Sequence, residues 1–80
     1  MPEVRTCSLA QMGTGQRGTV IEVAGGRGLA GRLDALGVRP GKRITKISSE
    51  IMRGPVIIQV DRTEIAVGFG MARHIVVRPD

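Results

Sequence analysis

A chain with one cysteine, one histidine and one aromatic residue lacks most of the chemistry that lets a small domain act alone. Cys7 cannot close an internal disulfide, so the fold must rest on a packed core, and a lone thiol fits a reducing compartment. His74 has no paired nucleophile or carboxylate dyad at a recognisable spacing, so no general acid and base constellation assembles, and an enzyme is not expected. Neither residue belongs to a C-x-x-C or H-x-x-x-H spacing, which argues against a tight metal site built from this chain alone and against a resident cofactor. What remains for metal is a weak or shared divalent-cation site, with His74, Cys7, Glu22 and Glu64 as its candidate ligands. Phe69, the sole aromatic, cannot form the stacking platform on which single-stranded nucleic acid is bound. No apolar run approaches the ~18 residues of a membrane span. The opening MPEVRTC carries no apolar signal core or cleavage site, so a cytoplasmic address is expected.

What is present is positive charge on a chain of domain size. Residues 1–80 read as a single domain, of a length that buries roughly 60% of its unfolded surface. Twelve Lys and Arg against seven Asp and Glu leave a net charge of +5. Arg27, Arg32, Arg39, Lys42 and Arg43 concentrate in one stretch, which suits an acidic protein surface, a phosphate backbone or an anionic membrane face. A charge of this size also serves to keep a small domain soluble.

That stretch, Gly25 to Arg43, holds the only clear helix. Leu29, Leu33 and Leu36 fall at i, i+4 and i+7 on one face of a 3.6-residue period, with Arg32 and Asp34 on the wet side. Gly37 is placed as a left-handed C-cap, and Pro40 forbids continuation. Gly31 in the interior lowers propensity, so packing of the leucines against a sheet must hold the segment. Strands are expected elsewhere. Arg17 to Val23 places Thr19, Ile21 and Val23 on one face and Val20 and Glu22 on the other. Lys42 to Ser49 carries Ile44 and Ile47 three apart, which breaks period two and predicts a bulge. Met52 to Pro55 turns the chain; Val56 to Val60 alternates cleanly; Asp61-Arg62-Thr63 forms a hairpin turn; and Glu64 to Val67 returns. Gly68 to Arg73 suffices for one helical turn, and Ile75 to Val77 is a last strand. About five short strands and one short helix favour a mainly β, small closed or nearly closed barrel.

Two glycine motifs invite nucleotide chemistry. Gly26, Gly28 and Gly31 spell G-x-G-x-x-G between a strand and a helix, with Glu50 near the distance of a ribose-binding acid, but a dinucleotide fold needs further βαβ crossovers that this chain lacks. Gly37 to Lys42 is one residue short of a P-loop, and Arg43 stands where a Ser or Thr should bind Mg²⁺. Both read as turns and caps.

Arg32-Leu33 and Leu36-Gly37, Pro40-Gly41, the Gly54-Pro55-Val56 entry to the middle hairpin, and Ala66-Val67 followed by Ala72, Ile75 and Val77 together resemble the ferrous iron transport protein A (FeoA) family. The resemblance spans most of the chain and implies an SH3-like barrel. It further implies a cytoplasmic accessory protein that acts with a membrane ferrous iron transporter bearing a GTP-hydrolysing cytosolic domain. The sequence departs from the family pattern at Gly68-Phe69-Gly70, so contacts are not carried over to that loop; Phe69 there is either a hydrophobic anchor or core. Arg27, Leu29, Arg32, Arg39, Lys42, Arg43 and Phe69 are the expected partner-binding residues. Two alternatives stand beside the transport role: a nucleic-acid-binding barrel using the same cations on phosphates, and the SH3-like domain of a metal-dependent regulator. No specific nucleic acid is expected, the chain is not expected to span a membrane, and homo-oligomerisation is left open.

Overall fold

The computed structural model describes residues 5–49 and 54–80. Glu50 and the Met52-Arg53 part of the expected turn lie outside them. In chain order the elements are β1 (Cys7–Ser8), a 3₁₀ turn (Leu9–Gln11), β2 (Arg17–Val23), α1 (Arg27–Ala35), β3 (Arg43–Ser49), β4 (Val56–Val60), β5 (Thr63–Val67), α2 (Phe69–Ala72) and β6 (Ile75–Pro79). The strands form one six-stranded sheet in the order β1-β6-β2-β3-β4-β5, every neighbouring pair antiparallel. The sheet thus has one strand more than expected, β1, while the helical turn expected within Gly68 to Arg73 is present as α2. Two residues are too few to show a period, which is why β1 is invisible to hydrophobic patterning.

The β4–β5 hairpin follows binary patterning closely. Val56, Ile58 and Val60 of β4 and Ile65 and Val67 of β5 face the core, while Gln59 and Glu64 face out. Val60 pairs with Thr63, so the loop is the two residues Asp61 and Arg62, with Asp61 at φ 57°. Each aliphatic side chain buried in this way contributes about 1.5 to 3 kcal/mol. The bulge expected in β3 is present, between Lys46 and Ser48. Its inner face is unusual, because Ile44 is joined there by the fully enclosed Lys46. In β2 a second register shift, between Val20 and Glu22, interrupts the simple alternation. Val20 stays in the core, Ile21 is turned out to 39% exposure, and Val23 packs back against the core.

α1 ends as its sequence requires, and two of the three leucines on the expected face, Leu29 and Leu33, pack on the core. Gly37 takes φ 92°; its N–H donates to the Asp34 carbonyl (2.9 Å) and the Val38 N–H donates to the Leu33 carbonyl (2.8 Å), the paired bonds of a Schellman cap. This cap reverses the chain and delivers Val38 to the core beside Leu33, both with no exposed surface. Leu36, expected on the apolar stripe, is instead 49% exposed, and Leu29 is half-buried. At the other end of α1, Gly25 has φ 105°, and a Cβ there would lie 2.8 Å from Leu29 Cδ2 and 3.2 Å from His74 Cγ. A glycine is needed twice over where α1 begins against the start of β6.

Candidate interaction surface

Between α1 and β2 runs a groove of about 560 Å³ whose floor and walls include Ile21, Val23, Ala30, Gly31, Val38 and Pro40. Its polar rim is Glu22 on one side and the Asp34–Arg39 ion pair on the other, where Arg39 Nη1 donates to Asp34 Oδ1 at 3.2 Å. Gly31 matters here for what it omits, since a Cβ at that position would meet no atom within 4 Å. Arg27 and Arg32 project from the same helix into solvent, and among the described residues neither is joined to a carboxylate.

The five clustered cations divide into groups. Arg39 belongs to the α1–β2 groove. Lys42 Nζ donates to Asp61 Oδ2 at 3.0 Å, and Arg43 Nη2 donates to Asp80 Oδ2, so both are tied to carboxylates of the sheet. Arg43 lines a second, polar groove with Arg17, Thr45, Gln59 and Asp61. These pairings join residues 19 and 37 positions apart, which spacing along the chain does not reveal. Phe69 opens α2 half-buried and outside the core cluster, into which Ala72 packs fully and Met71 partly.

The expected metal candidates are spread over the sheet: Cys7 on β1, Glu22 on β2, Glu64 on β5 and His74 just before β6. His74 offers its backbone carbonyl to the Ala24 N–H at 2.8 Å, joining the start of β6 to the end of β2. Among the described residues no group of three His, Cys, Asp or Glu side chains is placed to hold a metal ion.

The polar feature absent from the expected set is Lys46. With 2% of its surface exposed, its Nζ donates to the carbonyls of Leu9 (3.2 Å), Ala10 (3.3 Å) and Met12 (2.6 Å). Three N–H donors meet three carbonyls at the end of the 3₁₀ turn, which satisfies an ammonium without a counter-carboxylate. Burial pushes its pKa down from 10.5, opposed by the charge of nearby Cys7. The available signal was its phase: Lys46 follows Ile44 by two in a strand and so shares the inward face.

No helix among the described residues is long and apolar enough to cross a membrane. The sequence profile of the FeoA domain matches residues 7–79. A crystal structure described as an iron uptake regulatory protein (FeoA) superposes with a TM-score of 0.86 at 33% identity, over 95% of this chain and 99% of that one. Stenotrophomonas maltophilia FeoA complexed with zinc, described as a procaryotic SH3 domain protein, gives 0.76 at 21% identity, over 91% and 94% of the two chains. A manganese-dependent transcriptional repressor gives 0.87 at 18% identity over 98% of this chain, which spans 44% of the repressor. No curated protein is significantly similar in sequence. The distant likenesses give the fold, an SH3-like barrel, and the profile match with the 33% identical structure gives the lineage: this chain belongs to the FeoA domain family.

Proposed function

We propose that this chain is a cytoplasmic accessory protein of ferrous iron transport, an interaction module that binds the cytosolic GTPase domain of a membrane ferrous iron transporter and performs no catalysis itself. The observation that carries this proposal is the FeoA match across residues 7–79. The geometry adds a surface of the right kind. Arg27 and Arg32 present free guanidinium groups on α1, Arg39 stands at the rim of the apolar α1–β2 groove, and Leu29 anchors the helix beneath them. A guanidinium grips a carboxylate through two parallel hydrogen bonds, a geometry that lysine cannot reproduce. Phe69, half-exposed and free of the core, adds an apolar contact. Lys42 and Arg43 contribute positive potential beyond the groove while remaining bound to Asp61 and Asp80.

The test is the double substitution Arg32→Lys with Arg39→Lys, which preserves charge and removes the fork. The variant should keep the wild-type melting curve, lose the transporter in a pull-down and fail to restore uptake of labelled ferrous iron in a deletion strain. Full uptake and full capture by the double variant would remove the arginines from the interface. Binding to arbitrary duplex DNA that falls steeply with salt and survives the lysine swap would instead favour a phosphate-binding role.

A further inference from the structure

The outward face of the sheet carries a charge pattern that differs from that of the helix side. Cross-strand register sets Arg17, Thr45, Gln59 and Glu64 side by side, one each from β2, β3, β4 and β5. All four alternate with core residues and face away from the core, and three strand spacings separate the arginine from the glutamate by about 14 Å. A step along the strands, Arg43 of β3 lies beside Asp61, which follows the Ile44–Val60 pair. Arg17, Arg43, Thr45, Gln59 and Asp61 share one polar groove of about 290 Å³. In both rows the cation lies on the β2–β3 side and the carboxylate on the β4–β5 side.

This antisymmetry selects the occupant. A polyanion or a uniformly acidic surface laid across the face would meet Asp61 and Glu64 as well as the arginines, and like charges in juxtaposition are penalised. A half-turn about an axis parallel to the strands, between β3 and β4 and between two facing sheets, has the opposite effect. It sets Arg17 against Glu64 of a second copy, Arg43 against its Asp61, and Thr45 against its Gln59, and every contact occurs twice, as a two-fold interface requires. We propose that this face is an isologous interface for a second copy of this chain. Arg17 is the residue that most needs it, since no carboxylate of its own chain holds it among the described residues. Asp61 and Arg43, already bound to Lys42 and Asp80, extend the contact into two four-charge networks. The pairs are exposed, so the assembly is weak and sensitive to salt. It uses none of Arg27, Arg32 and Arg39, and shares with the transporter proposal only Arg43 and its neighbour Lys42.

Sedimentation velocity on the full chain, at rising concentration and at low and high ionic strength, tests this. Wild type should pass from monomer to dimer at low salt and return to monomer at high salt. Arg17→Glu brings two carboxylates face to face, and Glu64→Arg brings two guanidinium groups face to face; each should weaken self-association more than about tenfold. An equimolar mixture of the two variants should dimerise again, because each supplies the charge the other lacks, and the variant carrying both substitutions should dimerise with itself. Both sites are exposed strand positions, so matched thermal unfolding curves separate a lost interface from a lost fold. A wild type that stays monomeric to millimolar concentration at low salt, single variants that dimerise as wild type does, or a mixture or double variant that remains monomeric would each overturn the proposal.

Discussion

α1 and β4 solve the same problem with unequal means. α1 commits nine residues and fully buries one side chain, Leu33, while β4 commits five and buries three, Val56, Ile58 and Val60. The helix is the most conspicuous segment of the sequence, yet the core is built by the strands. The difference lies in neighbours: β4 is paired on both sides, by β3 and β5, whereas α1 meets the sheet along one line and leaves a groove beside it. A segment so lightly anchored leaves most of its side chains without a task inside the fold, and the proposed interaction surface draws on these. Stability here belongs to the sheet and exposure to the helix.

That division predicts its largest effect in β4. Ile58→Ala should cost about 2 to 5 kcal/mol in urea unfolding, with all probes reporting one transition, because the cavity opens where three strands meet. A smaller loss would mean the sheet relaxes into the gap and the contrast with α1 is overstated.

Lys46→Met sharpens the comparison at the neighbouring strand. At neutral pH the variant should lose about 1 to 3 kcal/mol, since the carbonyls at the end of the 3₁₀ turn forfeit this donor. The pH dependence carries a sign. The unfolded lysine titrates near 10.5 and burial lowers the folded value, so between the two the unfolded chain binds the extra proton and wild-type stability rises toward pH 10.5. Below that window the cost of burying the charge is fully present. The methionine variant should lack this alkaline rise, which urea midpoints across the window would reveal; an identical rise in both proteins would assign it to another group.

The smallest effect belongs to the helix. Leu36→Ser should change stability by no more than about 0.5 kcal/mol, because a residue left half in water has little transfer energy to lose. A loss of the size expected for Ile58 would restore Leu36 to the apolar stripe and erase the asymmetry between the two regions.

The same asymmetry explains what could be read from the chain. β2 lies at Arg17–Val23 as expected, β4 at Val56–Val60, and the bulge after Lys46 follows from the Ile44–Ile47 spacing, since each rests on residues a few positions apart. Gly37 was equally legible, because a left-handed cap is a local demand of the backbone. Leu36 was not. Periodicity assumes that the helix axis continues, and the Schellman turn ends it one residue earlier and recruits Val38 instead. The surface was less legible still. Whether Arg39, Lys42 or Arg43 is free depends on Asp34, Asp61 and Asp80, and two of those three pairings join distant parts of the chain. Lys46 was passed over, although its phase with Ile44 places it on the inward face.

The contact of Lys46 with the 3₁₀ turn has a hereditary consequence. Its donor is a side chain, present only while position 46 encodes lysine, but its acceptors are backbone carbonyls that every residue carries. Substitutions at Leu9, Ala10 and Met12 answer to packing alone and leave the acceptors in place. Drift can thus rewrite one half of the contact without touching it, while a single codon change at the other half abolishes it. No compensating mutation marks the pair, so a search for co-varying positions would pass over it.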